Sequence, residues 1–145
     1  MSKNARQISV FLENRPQTLA AAMKLIKECG INVRALSLAD TKDFGILRMI
    51  VNDTDKAVDR LREASYAVTV TDVVAITIPD EPGQLSRILD ILGAKGVNIE
   101  YLYAFIGKSD RSVSFVIRVD DAANAASALS AEGVIQLTEN DMATM

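Results

Sequence analysis

A chain of 145 residues that is 49% hydrophobic and 24% charged can bury a core, yet it contains no apolar run near the roughly 20 residues of a membrane span. Its net charge of −3 is spread without a basic cluster, which argues against a nucleic-acid surface. With no histidine and one cysteine, Cys29, the chain lacks the commonest general base, a thiolate zinc site and any internal disulfide, and no GxGxxG or Walker-type phosphate loop occurs.

The first residues, Met1 to Arg6, show no apolar segment behind their positive charges, so no secretory signal is read there. A cytoplasmic setting is expected, in keeping with the single cysteine. Ile8, Val10 and Leu12 alternate with polar residues at the period of a half-buried strand. Pro16 is expected to open a helix near its first turn, where its missing N–H costs nothing. Leu19, Ala22, Met23 and Ile26 share one face of that helix. Gly30 sits where a helix would end in a left-handed residue. A strand pair is expected over residues 31–40 and 44–52, with Thr41-Lys42-Asp43 as its turn. A weaker helix carrying Ala57, Val58 and Leu61 follows, then a short strand with Val68 and Val70.

The same order then repeats. At an offset of 66 positions, Pro16, Leu19, Gly30, Asn32 and Leu36 meet Pro82, Leu85, Gly96, Asn98 and Leu102. One extra residue near Gly107 to Arg111 is expected to shift the later match. The second helix carries Leu85, Ile88, Leu89 and Leu92, and the second strand pair turns Val113, Phe115, Ile117 and Val119 to one side. Ala122, Ala125, Ala126 and Leu129 mark the last helix, with Ile135 and Leu137 closing the unit. Two copies of one unit are therefore expected, residues 1–72 and 73–145, each small for a domain. No Gly-, Pro- or Ser-rich linker separates them, so the last strand of one should run into the first strand of the next.

Each βαββαβ copy predicts an antiparallel sheet with both helices on one face, a ferredoxin-like α+β unit, and leaves the other sheet face to pack elsewhere or meet water. Apolar residues on both sides of the segment from Val97 to Ile106 suggest coverage by another unit.

The motif Asp80-Glu81-Pro82-Gly83-Gln84-Leu85 followed by Gly96-Val97-Asn98-Ile99 resembles the ligand loop and second-strand start of ACT domains. Asn14-Arg15-Pro16-Gln17-Thr18-Leu19 with Gly30-Ile31-Asn32-Val33 is the first copy's counterpart. The stretch from Leu36 to Arg48 resembles a subgroup of stand-alone bacterial tandem ACT proteins described as binding amino acids.

The resemblance implies a regulatory protein that binds a small molecule, a free amino acid, at ACT–ACT interfaces, without catalysis and without a cofactor or metal. Backbone N–H groups at a helix start suit the ligand carboxylate, and an asparagine offers both a donor and an acceptor. The implied ligand-binding residues are Asn14, Arg15, Pro16, Gln17, Thr18 and Leu19 with Asn32, and Asp80, Glu81, Pro82, Gly83, Gln84 and Leu85 with Asn98. Gln17 stands where the second copy has Gly83, and either crowds the first loop or supplies a hydrogen bond. The same residues also have plainer readings, the prolines and glycines as helix start and stop signals and the asparagines as caps. Asp40, Thr41 and Asp43 read as a hairpin turn, and through the resemblance also as ligand or dimer contacts. Tyr101 and Tyr103 read as interface packing, Cys29 as a packed small apolar group, and Arg34, Arg48 and Arg118 as solvated or paired, Arg48 being the best candidate for an anion contact. A homodimer is expected, with neither nucleic acid nor membrane as partner. The alternative is a free regulatory subunit that pairs with a metabolic enzyme and keeps only vestigial ligand sites.

Overall fold

The computed structural model describes residues 4–40, 43–105 and 111–144, and of Asp40 the backbone only. Thr41 and Lys42, expected in the first turn, and most of the segment from Gly107 to Arg111 lie outside the described residues. The first unit comprises β1 (Ala5–Glu13), α1 (Thr18–Glu28), β2 (Val33–Asp40), β3 (Phe44–Val51), α2 (Thr54–Glu63) and the start of β4 (Ala67–Pro79). The second comprises the end of β4, α3 (Gln84–Ala94), β5 (Ile99–Ala104), β6 (Ser112–Val119), α4 (Ala122–Ala131) and β7 (Ile135–Leu137). A short α5 (Glu139–Ala143), which the sequence pattern did not suggest, ends the described chain.

Both units have the same antiparallel strand order, β2-β3-β1-β4 in the first and β5-β6-β4-β7 in the second. β4 belongs to both: its residues up to Val73 pair with β1, and from Val74 onward they pair with β6. The expected division at residues 72 and 73 thus falls inside one unbroken strand, as the missing linker required. An isolated antiparallel bridge, Ala35 to Phe105, brings the outer strands β2 and β5 together.

The repeat is visible in individual hydrogen bonds. Asn14 N–H donates to Asp43 O at 3.2 Å, and Asp80 N–H to Arg111 O at 3.0 Å. Asn32 N–H donates to Asn52 Oδ1 and Asn98 N–H to Asp120 Oδ1, each at 2.9 Å. Asp53 caps α2 as Asp121 caps α4. The offset is 66 from Asn14 to Asp80 but 68 from Asp43 to Arg111, so the second copy carries two extra residues between Phe105 and Arg111, where one was expected.

Each helical layer covers its own core. Ile8, Val10 and Leu12 of β1 pack with Ala22, Ile26, Leu47, Met49 and Leu61, and Val74, Ile76 and Ile78 pack with Ile88, Leu92, Ile117 and Leu129. Full burial of such side chains is worth about 1.5–3 kcal/mol apiece. Cys29 is packed against the first of these cores, as expected. Leu89 departs from the predicted stripe: it is 37% exposed, and Ile91 packs inward beside Leu85. Pro16 lies in the turn just ahead of Gln17, the residue that precedes the helix, and so opens α1 from outside its first turn.

A third cluster lies between the units. Ala5, Ala35, Ile50 and Val73 meet Ala75, Tyr103, Phe105, Val116 and Met142. The sheet faces away from the helices therefore cover one another within a single chain. The polar residues of β1 that read as solvent-facing are accordingly buried, Gln7 fully and Ser9 almost so. Gln7 Nε2 donates to Tyr101 Oη at 2.6 Å and to Ser9 Oγ at 3.3 Å, while Tyr103 Oη donates to Gln7 Oε1 at 2.7 Å. Arg6 adds a peripheral tie, reaching Asp55 at 2.8 Å and Glu139 at 2.7 Å.

Candidate functional site

The two β–α turns are built alike. In the first, Arg15 N–H donates back to Glu13 O at 2.9 Å and the helical ladder starts with Ala21 N–H on Gln17 O. In the second, Glu81 N–H donates to Pro79 O at 3.0 Å and Arg87 N–H to Gly83 O. Gln17 and Gly83 both hold left-handed backbone, with φ of 73° and 87°. Only glycine adopts that region without steric penalty, so Gln17 carries a strain its counterpart lacks.

These two helix starts differ from the others in one respect. Asp53, Asp121 and Thr138 cap α2, α4 and α5 through their side chains, whereas α1 and α3 have no side-chain cap. The first N–H groups of a helix have no partner within it, so at α1 and α3 no side-chain oxygen competes for them.

Two hollows flank the first turn. The larger, about 580 Å³, is lined by Phe11, Glu13, Arg15, Gln17, Phe44 and Tyr66 among others. The smaller, about 150 Å³, lies toward Leu38 and Gly45 and is bordered by Asn14, Arg15, Gln17, Thr18 and Leu19. Of the predicted residues, Arg15, Gln17 and Thr18 border both and Pro16 only the larger. Thr18 Oγ1 donates to Glu13 O at 2.8 Å, and Arg15 is ion-paired with Glu13. Phe11, Phe44 and Tyr66 were missed from the sequence. Phe11 and Phe44 are 43% and 53% exposed on their strands, a pattern that core periodicity alone does not reveal. In the second copy, Asp80 to Leu85 repeat the turn, with Arg87 Nε on Gln84 Oε1 at 3.4 Å.

The asparagines are not brought to their own loops. Ile8 of β1 and Leu36 of β2 both face Met49, so β1 and β2 run parallel, and Asn32 lies beyond the start of β1 while Asn14 lies beyond its end. A nine-residue strand separates them, about 30 Å at the usual rise. The Ala35–Phe105 bridge instead sets the Asn32 end of the first unit beside the Phe105 end of the second. Phe105 N–H donates to Ser114 O and Ser114 pairs with Thr77, three residues before Asp80, so Asn32 and Asp80 to Leu85 share one end of the molecule. β5 runs antiparallel to β2, which turns Asn98 toward the end that carries Asn14 to Leu19.

Arg48, expected as an anion contact, is engaged elsewhere: its guanidinium carbon lies 3.9 Å from the centroid of the Tyr101 ring, at the seam between the units. Tyr101 and Tyr103 stack with centroids 6.4 Å apart, which agrees with interface packing. Burial, and then the neighbouring Tyr101, push the Tyr103 phenol above the ordinary tyrosine range. Arg34 is half-buried, with Nη2 on Ala143 O at 3.4 Å and Nε without a partner among the described residues. Arg118 Nη1 donates to Asp72 O at 3.1 Å. Among the described residues no group of His, Cys, Asp and Glu could hold a metal ion, and no helix is long and apolar enough to cross a membrane.

The chain matches a family described as an ACT domain pair over residues 3–145. No curated protein matches it. A crystal structure of a Bacteroides thetaiotaomicron protein is 37% identical and superposes with a TM-score of 0.92, over 99% of this chain and 100% of that one. The ligand-free regulatory subunit of aspartate kinase from Thermus thermophilus shares the fold at 17% identity and a TM-score of 0.66, over 90% and 93% of the two chains. The corresponding subunit from Thermus flavus gives 17% and 0.61, over 88% and 92%. With its two βαββαβ units, its matched turns and a family match over nearly its whole length, the chain belongs to the ACT domain family, as an ACT domain pair.

Proposed function

We propose that this chain, as two ACT units over residues 1–72 and 73–145, is a cytoplasmic, homodimeric regulatory protein that binds a free amino acid and catalyses no reaction. The observation that carries this reading is the pair of uncapped helix starts, α1 and α3, each entered through a left-handed residue. Such an end carries partial positive charge and unpaired donors, which suit a carboxylate. The hollows beside Arg15, Gln17 and Thr18 supply room for the rest of a small ligand at the first turn.

The geometry supports a regrouping of the implied residues. One site would combine Asn14 to Leu19 with the Asn98 end of β5, and the other Asp80 to Leu85 with the Asn32 end of β2. Binding across the two units would then bias their relative placement, which is how a ligand signal leaves a protein without chemistry.

Calorimetric titration of the full chain with each of the twenty amino acids tests the reading. Saturable heat from one or a few is expected, and silence from all twenty overturns it. A second reading, a free subunit that pairs with a metabolic enzyme, has its support in the architecture shared with aspartate kinase regulatory subunits. Capture of such an enzyme from extract by a chain that binds no amino acid would favour it.

A further inference from the structure

The larger hollow beside the first β–α turn is built from residues that the second copy does not repeat. At about 580 Å³ it lies within the span of about 300–1,000 Å³ usual for small-molecule sites. Among the described residues only Gln17 and Ser65 hold left-handed backbone without being glycine, with φ of 73° and 69°, and both line this one hollow. Their counterparts are glycines, Gly83 at the offset of 66 and Gly133 at the offset of 68 that applies after the extra residues. Non-glycine residues kept in that region carry strain, and such strain gathers at functional sites. Here it sets an amide and a hydroxyl where the second copy has no side chain.

The other lining residues change in the same way. Phe11, Phe44 and Tyr66 supply aromatic surface, and Thr77, Ser112 and Val134 stand at those positions in the second copy. In the β1–β3 ladder Phe11 faces Ile46 and Glu13 faces Phe44. The two phenylalanines are therefore diagonal neighbours on one sheet face, near enough to touch one ring together. Both are exposed, so a ligand ring has aromatic surface to cover. Glu13 and Arg15 supply one charge of each sign, against Pro79 and Glu81 in the second copy. Both side chains of their ion pair are 66% exposed. A pair so exposed is worth little, and exchanging it for contacts with a zwitterion costs little.

We propose that this hollow selects a free amino acid with an aromatic side chain, and that the first copy alone does so. This rests on the amino-acid-binding reading above and names the ligand class of its first site. The ligand ring lies against Phe11, Phe44 and Tyr66. Its ammonium meets Glu13, its carboxylate meets Arg15, and Gln17 and Ser65 complete the polar wall. An aspartate would bring a second negative charge to ring faces that are themselves electron-rich, and an alanine would leave the rings uncovered. The second turn has neither the rings nor the charge pair, so one ligand per chain follows.

Titration calorimetry of the full chain with phenylalanine, tyrosine and tryptophan, and in parallel with the other seventeen amino acids, tests both levels. At least one aromatic amino acid is expected to saturate at one molecule per chain and to bind roughly tenfold or more tightly than aspartate or alanine. Phe11→Thr/Phe44→Ser places the second copy's residues at two exposed positions and should weaken that ligand roughly tenfold or more. Gln17→Gly/Ser65→Gly should weaken it while raising the melting temperature, a combination that misfolding does not produce. Preference for a non-aromatic amino acid, two equal sites per chain, or aromatic binding unchanged in either variant overturns the inference and leaves the amino-acid-binding reading standing. Silence from all twenty overturns both.

Discussion

The Tyr103 hydroxyl donates to Gln7 Oε1 at 2.7 Å, joining residues 96 positions apart across the seam between the two units. Gln7 is fully buried, and its amide nitrogen is engaged in turn by Tyr101 and Ser9. A buried amide satisfied at both ends fixes how two apolar faces meet, because sliding them would strand polar atoms away from water.

Tyr103→Phe removes the donor and leaves Gln7 Oε1 buried without it, so a loss of about 1–3 kcal/mol is expected in urea unfolding. Replacing the amide as well, with Gln7→Leu/Tyr103→Phe, should recover part of that loss. A single variant as stable as the unaltered protein, or a double variant showing the plain sum of two single losses, would deny the pair its coupling.

Much of the fold was legible in sequence because the period-two and period-3.6 stripes repeat at one offset. Gly30 and Gly96 do end their helices with φ of 71° and 69°. The seam was less legible. Gln7 and Ser9 alternate with Ile8 and Val10 just as solvent-facing residues would, and only the second unit, far away in sequence, buries them. By contrast, the apolar second side of β5 did suggest coverage by another unit, and the first unit of the same chain supplies it. α5 has five residues, too few for a helical stripe to register. Grouping Asn32 with its own loop treated closeness in the motif as closeness in space, which the parallel run of β1 and β2 does not allow.

The strain at Gln17 gives a second prediction. Left-handed backbone at a non-glycine residue costs about 1–2 kcal/mol, partly offset by the greater unfolded freedom of glycine. Gln17→Gly should therefore stabilise the chain by about 0.5–1 kcal/mol, and Gly83→Gln should destabilise it by a similar amount. A Cβ at Gly83 would meet nothing within 4 Å, so the penalty there is one of backbone and not of crowding. Matched thermal melts would show it, and shifts of the same sign for both variants would refute the assignment.

Acid should loosen the peripheral tie. The Arg6 hydrogen bond, and then its charge, hold the Asp55 carboxyl below the usual carboxylate range, and the backbone N–H and hydroxyl of Thr138 do the same for Asp141. A carboxyl with a lowered folded pKa adds stability above its unfolded value, near 3.9, and that stability fades as pH falls through the folded value. Urea midpoints should accordingly drop below about pH 4. Asp55→Asn should flatten that drop by lowering the midpoint above about pH 4 while leaving the acid end unchanged; an unaltered acid slope would mean that the pair contributes nothing to it.

Met142 joins the C-terminal end of the chain to the seam. It is fully buried within the cluster that contains Ala5, Ile50 and Tyr103, although its helix has only five residues and a Thr138–Asp141 capping box to hold it. So short a helix is not stable alone, which makes the buried side chain its main anchor. Met142→Ala should cost about 2–4 kcal/mol, since truncating a buried methionine loses its transfer energy and leaves a cavity. The effect should reach beyond α5, because Glu139 on the same helix accepts from both Arg6 at 2.7 Å and Thr54 at 3.1 Å. Amide exchange would then rise at the start of β1 and at the N-terminus of α2 as well as in α5. Loss of protection confined to residues 139–143 would show that the helix rides on the seam without helping to close it.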